Sequence, residues 1–285
     1  MKTKGKQRKG HGCLTGIIII ALMAAVLAFL IKDSRENLEI SDYELSSSKL
    51  PVSFDGFKIV QLSDLHGAEF GEDGEELVTK VKELEPDIIV LTGDFVTDEG
   101  DIDAVQRLAE TLVELCPVYF VSGNHEYGSG LALNVKSIME NAGVEYLGNE
   151  YITICRGDDE IMLAGVEDPL AYADMLTPDE LVSQMKEESP DAFKILLGHR
   201  NYWMTEYPEL AVDLIFSGHA HGGIVRIPGL GGLIGTDRHL LPDFEAGMFN
   251  NGYYTMIVSR GLGNSVSIPR LFNRPEIVCV TLKSE

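Results

Sequence analysis

Eight short apolar runs, each closed by a polar or glycine-containing cluster, restrict this chain to a fold built on buried β-strands. They are Lys58–Leu62, Ile88–Leu91, Val118–Val121, Ile161–Val166, Ile195–Leu197, Leu214–Phe216, Tyr253–Val258 and Ile277–Leu282. Helical periodicity falls between several of them. Leu77, Val81 and Leu84 share one face of a helix over Glu75–Leu84, and Val105, Leu108, Leu112 and Leu115 share one over Ile102–Leu115. Thr177-Pro178-Asp179-Glu180 is a capping box with proline at the first helical position, which opens a helix to about Met185. Strands and helices alternate in the first half and β character grows in the second. The expected class is therefore α/β (α+β), without internal repeat or second domain boundary.

The residues just after the strands are chemically selective. Five runs end in Ser63-Asp64-Leu65-His66, Thr92-Gly93-Asp94, Ser122-Gly123-Asn124-His125-Glu126, Gly198-His199 and Ser217-Gly218-His219-Ala220-His221, which together hold five of the seven histidines. Ligands in open α/β sheets bind at the carboxyl ends of strands, so these clusters can converge. Imidazole, carboxylate and amide oxygen without thiolate select Mn, Fe, Zn or a similar divalent ion. On an extended backbone the D-x-H and H-x-H spacings place both side chains on one face. Asp64, His66, Asp94, Asn124, His199, His219 and His221 make seven donors, more than one ion takes while keeping room for water. Two ions sharing a carboxylate account for that number, and a pair about 3.5–4 Å apart suits in-line phosphoryl displacement. Taken singly, Asp94 reads as a turn former, His199 as a packed histidine and His219-Ala220-His221 as a chance pair. Their coincidence at five strand ends has no purely structural explanation.

The charge fits this chemistry. The net charge is −22, yet residues 1 to 31 hold no acid and five of the 23 basic residues, which leaves 18 against all 45 acidic ones. Such a domain repels nucleic acid and anionic lipid at long range, so no nucleic-acid partner is expected. A phosphate-bearing substrate needs a local positive centre, which bound cations supply; acidity also serves solubility alone. Cys13, Cys116, Cys155 and Cys279 form no C-x-x-C pair, which speaks against a zinc–thiolate site. The last three are expected to be buried as small hydrophobes.

The stretch Leu14–Ile31 holds eighteen uncharged residues, which as a helix span roughly 27 Å, enough for a bilayer core. Residues 1–12 are expected as a cytoplasmic basic segment, 13–31 as a transmembrane anchor, 32–55 as a juxtamembrane linker rich in serine (Ser46-Ser47-Ser48), and 56–285 as the folded domain. Lys32-Asp33 follows the apolar run without a small-residue cleavage site, which favours a retained anchor over a cleaved signal. By the positive-inside rule the N-terminus stays cytoplasmic and the domain lies outside the cell membrane.

The motifs D-L-H, L-T-G-D, S-G-N-H-E, G-H-R and S-G-H-A-H, in this order between about Phe57 and Leu282, resemble the calcineurin-like metallophosphoesterase superfamily. Together with the anchor, the closing S-R-G-L-G-N-S and P-R-L-F-N-R-P-E-I segments (Ser259 to Ile277) are similar to its bacterial membrane-associated phosphodiesterase branch. The resemblance implies a four-layer αββα sandwich, two packed mixed β-sheets flanked by helices. It assigns Asp64, His66 and His221 to one divalent ion, Asn124, His199 and His219 to a second, and Asp94 to both. It makes His125 an unligated, substrate-facing imidazole, which with Asp94 and Asn124 forms the catalytic set. The reaction it implies is hydrolysis of phosphoesters, phosphodiesters foremost, by a hydroxide held between the ions. Lipid-linked phosphates are among the candidate substrates; phosphomonoester hydrolysis, or a non-catalytic metal-binding module on the same fold, are the alternatives. The membrane, through residues 13–31, is the only other partner expected, and no protein partner is. One departure from the branch is the absence of a proline soon after His199, where Arg200-Asn201-Tyr202-Trp203 stands. Arg200 then reads as a surface charge or a phosphate contact, and Arg260, Arg270 and Arg274 as ion-pair or substrate-binding residues. Tyr202, Trp203 and Phe244 read as packing rather than a lipid groove, and His239 as an exposed loop residue.

Overall fold

The computed structural model describes residues 10–171, 175–236 and 238–285. The expected basic segment lies outside the described residues as far as residue 9. In chain order the first half holds α1 (Gly10–Glu36), β1 (Glu39–Ser47), β2 (Lys58–Leu62), α2 (Glu75–Glu83), β3 (Ile88–Thr92), α3 (Ile102–Leu112), β4 (Val118–Val121), α4 (Asn124–Gly128), α5 (Ala132–Ala142) and β5 (Glu145–Tyr146). The second half holds β6 (Glu150–Arg156), β7 (Asp159–Gly165), α6 (Pro178–Glu188), β8 (Phe193–Leu197), α7 (Trp203–Glu206), β9 (Leu214–Ser217), β10 (Arg226–Ile227), β11 (Gly231–Gly232), β12 (Gly247–Asn250), β13 (Thr255–Val258) and β14 (Glu276–Ser284).

The strands are apolar on both faces because both faces are covered. Successive side chains point to opposite sides of a strand. Ile59, Ile88, Val90, Tyr119 and Val121 of one sheet meet Ile161, Leu163, Ile195, Leu197, Leu214 and Phe216 of the other in a shared central core. Their alternates Val60, Leu62, Ile89, Leu91, Val118 and Phe120 pack under α2, α3 and α5 through Leu77, Val81, Val105, Leu112, Val135 and Met139. On the far side Met162, Ala164, Leu196, Ile215 and Met256 pack under α6 and α7 through Leu181, Val182, Met185 and Trp203. The result is a four-layer αββα sandwich with three apolar cores, as the resemblance implied.

Both large sheets are six-stranded and mixed, in the orders β1-β14-β2-β3-β4-β5 and β12-β13-β9-β8-β7-β6. The inner strands β2, β3, β4 and β7, β8, β9, β13 run parallel within their sheets. Every site-bearing strand therefore ends at the same edge of its sheet as its neighbours. The capping box of α6 forms as expected, with Thr177 Oγ1 accepting from the Glu180 amide at 3.3 Å and Glu180 Oε2 accepting from the Thr177 amide at 2.8 Å.

The segment expected as a linker is largely ordered secondary structure. α1 continues to Glu36, and β1 pairs in parallel with β14 from Glu39↔Glu276 to Ser47↔Ser284. An edge strand needs few apolar residues. Ile40 packs toward the outer core, Tyr43 and Leu45 toward the central one, and the polar residues between them are what made the stretch resemble a linker. Cys155 is exposed, not buried, since it lies on the outer face of edge strand β6, while Ile152 and Ile154 of that strand pack inward. α1 is long and apolar enough to cross a membrane, and none of its apolar window is covered by protein.

Candidate metal centre

All seven expected donors stand just beyond strand ends. Asp64 and His66 follow β2, Asp94 follows β3, Asn124 opens α4 after β4, His199 follows β8, and His219 and His221 follow β9. Their backbone is not extended, contrary to the one-face reading of the two x-spaced motifs. Asp64 (φ 51°), His66 (49°), Asp94 (58°), His219 (68°) and His221 (49°) all adopt left-handed conformations. Each such residue costs about 1–2 kcal/mol when it is not glycine, so surrounding bonds must hold it. The Asp64 amide donates to Gly93 O at 2.9 Å, the His66 amide to Asp94 O at 3.0 Å, and the His219 amide to Asp64 Oδ1 at 3.0 Å. Gly93 (φ 83°) is required twice over, because a Cβ there would also lie 2.5 Å from the Gly123 nitrogen and 2.9 Å from His199 Nδ1.

The turns bring the donors into two overlapping groups. Ligand atoms of Asp64, His66, Asp94 and His221 lie within 4.8 Å of one another, and so do those of Asp94, His199 and His219. Asp94 Oδ2 belongs to both, 3.1 Å from His199 Nε2 and 3.8 Å from His66 Nε2. Asn124 Oδ1 joins the second group at 3.2 Å from His199 Nε2. His125 stands beside the first, its ring edge-on to His66 with centroids 4.6 Å apart and its amide donating to Asp94 Oδ1 at 2.7 Å.

The donor set fits divalent cations. His66 Nε2 faces His221 Nε2 at 3.2 Å, and His199 Nε2 faces His219 Nδ1 at 3.2 Å. Burial lowers the pKa of His66 to about 3 and holds His219 and His221 well below the usual histidine range, so their lone pairs are free to bind metal. For His199, burial works against the charged ring but the Asp94 carboxylate outweighs it and raises the group to about 10. Burial would likewise raise Asp94, yet the His199 charge holds it well below the usual carboxylate range. Asp64 is pushed up to about 6, chiefly by burial. His199 Nδ1 donates to Thr92 O at 2.8 Å, which leaves Nε2 facing the centre. Two divalent ions match this arrangement in number and chemistry.

Several residues that hold the turns were not singled out from the sequence. Glu126 is fully buried and accepts from the amides of Gly123 (2.7 Å), Asp94 (2.9 Å), Phe95 (2.7 Å) and Val96 (3.3 Å). Burial raises its carboxyl to about 7, the Asp94 charge adds to this, and amide donation opposes it. The signal was present, since Glu126 is the third residue of a helix that opens after Gly123. Ser63 Oγ donates to Asp64 Oδ2 at 2.6 Å, and Asn273 Nδ2 donates to the carbonyls of His221 (2.8 Å) and Ile224 (3.0 Å).

The four weighed arginines divide. Arg200 is not a free surface charge, because buried Asp168 clamps it at 2.6 Å, and its Nη1 lies at the centre, 3.2 Å from His219 Nε2. Arg260 pairs with Glu276 (2.9 Å) and Glu39 (3.1 Å), and Arg274 pairs with Asp33 (2.8 Å). Arg270 is buried and, among the described residues, bonds only to neutral oxygens, those of Gly263, Asn273 and Arg274. Trp203 is core, Tyr202 packs against it with rings tilted by 47°, Phe244 packs on Phe249, and His239 is exposed.

Comparison with known proteins agrees with this geometry. The family model described as calcineurin-like phosphoesterase matches residues 57–223. The metallophosphoesterase YkuE of Bacillus subtilis (strain 168) is 31% identical over 87% of this chain and 86% of its own length. A transmembrane protein with metallophosphoesterase domain from Bos taurus is 32% identical over 86% of this chain and 57% of that protein. The phosphodiesterase YaeI of Escherichia coli (strain K12) is 26% identical over 79% of this chain and 82% of its own.

Proposed function

The chain belongs to the calcineurin-like phosphoesterase family, and from that premise we propose that it hydrolyses phosphodiesters with two divalent cations at the outer face of the cell membrane. The observation that carries the reading is Asp94 Oδ2, which stands in both donor groups, 3.1 Å from His199 Nε2 and 3.8 Å from His66 Nε2. Asp64, His66 and His221 would hold one ion and Asn124, His199 and His219 the other, with Asp94 available to both. When bound, such ions supply a water that ionises near neutral pH and positive charge for the phosphoryl oxygens.

The protein supplies position and a proton. Glu126 fixes the Asp94 and Gly123 turns through its four amide contacts, so Asp94 enters the reaction already oriented. Half-buried His125 stands at the open side of the first group, held by its amide bond to Asp94. Water oxygen bonds to phosphorus and releases its proton to solvent, the phosphorus–oxygen bond to one alcohol breaks, and a protonated His125 ring gives its proton to the departing oxygen. The products are a phosphomonoester and an alcohol. Diester preference is supported by the name borne by the relative YaeI. Outward orientation is supported by the basic residues that precede α1 and the absence of acid before Lys32.

The test is hydrolysis of bis-p-nitrophenyl phosphate by the full chain with added manganese. Turnover that stops on chelation and returns with metal is expected; a folded, metal-loaded sample inert with every divalent ion would remove the reading.

A further inference from the structure

The metal centre does not open only to bulk solvent. A cavity of about 430 Å³ runs beside it, walled by His66 from the first donor group, by Asn264, Ser267 and Arg270 from the segment before β14, and by Ile31 and Arg35 from α1. Ile31 is the last residue of the uncharged run, and Arg35 stands four positions on, so both lie on one face of the helix about one turn apart. If the run fills the hydrocarbon layer, that turn lies in the layer of lipid headgroups.

The helix end is fixed to the domain, so the α1 wall of the cavity is part of the fold. Arg274 Nε and Nη2 each donate to the Asp33 carboxylate at 2.8 Å, and the Asn273 amide donates to Ser34 Oγ at 3.3 Å. Ser34 is only 1% exposed. Next to this joint the chain presents Phe272, 47% exposed, and Ile268, 37% exposed, on the segment that carries Arg270. Two exposed apolar side chains therefore stand on the segment that is tied to the helix end.

The charge of the cavity is opposite to that of the protein. The chain carries −22 overall, yet no carboxylate lines the cavity among the described residues, while two arginines do. Arg270 contacts only neutral oxygens, and Arg35 has no carboxylate partner among the described residues, although Lys32 and Glu36 pair beside it. A cationic cavity between headgroup level and a phosphoryl-binding centre selects an anionic group attached to something that stays in the bilayer.

We infer that the cavity is the substrate channel for a membrane-resident lipid phosphodiester, whose alkyl chains remain beside α1 while its phosphodiester passes Arg35 and Arg270 to reach the metal centre. This rests on the phosphoesterase reading and specifies its substrate class. Local cations also overcome the long-range repulsion that so acidic a domain exerts on anionic lipid.

Two probes with the same scissile bond separate the inference from that reading. Hexadecyl p-nitrophenyl phosphate in mixed micelles and ethyl p-nitrophenyl phosphate in solution both release p-nitrophenolate, as water oxygen bonds to phosphorus, and differ only in the chain. The quantity read is the hexadecyl-to-ethyl ratio of kcat/KM in the manganese-loaded full chain, native and with Arg35→Glu or Ser267→Trp. Both positions are exposed, so both variants fold. The ratio is expected to fall about tenfold in each variant, through charge reversal at the headgroup level in Arg35→Glu and through a blocked cavity in Ser267→Trp. Simple partitioning of the long-chain probe into micelles leaves the ratio unchanged by either variant, and an unchanged ratio in either would overturn the inference. Failure to hydrolyse both probes would instead remove the phosphoesterase reading.

Discussion

Leu91 and Asp94 stand three residues apart and answer to different physics. Leu91 is fully buried inside regular β3, between Leu62 and Phe120 in the neighbouring strands, and its neighbours are equally apolar. Asp94 is as deeply buried, but on left-handed backbone, among imidazoles and beside the buried carboxyls of Asp64 and Glu126. The strand interior gains from burial at every atom, whereas the turn stores strain and unfavourable charge that a cation offsets. On the proposed reading, stability and function sit on adjacent segments, and substitutions should separate them.

The largest expected effect is on the turn. Asp94→Asn removes the one donor shared by both groups and should abolish turnover, by about 10⁴-fold or more, with loss of bound metal, since charge stabilisation by the ions is worth several kcal/mol. A calorimetric scan of the metal-free variant tests the other half of the comparison, because Tm should fall less than in Leu91→Ala. His125→Ala should slow diester hydrolysis about 10²–10⁴-fold while elemental analysis still finds the native metal content; depletion would make His125 a ligand. Leu91→Ala inverts the pattern, with a loss of about 2–5 kcal/mol in denaturant unfolding from the cavity it leaves. At temperatures where that variant is folded, it should keep native metal content. Smallest of the set, Glu126→Gln should cost about 1–3 kcal/mol of stability, because a buried amide cannot accept from all four backbone donors as a carboxylate does. It should also weaken metal binding through the displaced Asp94 turn. Equal losses of stability in Leu91→Ala and Asp94→Asn would erase the distinction.

The same contrast explains what could be read from the residues. Strands such as β2, β3, β4, β8 and β9 are legible because burial on both faces demands an unbroken apolar run, and α6 because Thr177 and Glu180 cap each other through local bonds. Edge strand β1 reads as part of a linker, since one neighbour and a solvent face leave Ser41, Asp42 and Glu44 free to be polar. The candidate ligand types and their order at the strand ends are visible, but the left-handed backbone of five of them is not. Asp64, His66 and His221 carry no glycine signature, and their turns are held by long-range backbone bonds, by Asn273 and by glycines such as Gly93 and Gly218 packed close by. From the residues alone Arg270 is open between ion pair and substrate contact, because both use the same guanidinium and only burial without a carboxylate separates them.

The central claim is that one carboxylate joins two cation sites built from both sheets. Anomalous diffraction at the manganese edge from metal-loaded crystals addresses it directly. Two peaks about 3.5–4 Å apart are expected, on either side of Asp94. A single peak, or a pair that Asp94 does not touch, would contradict the account.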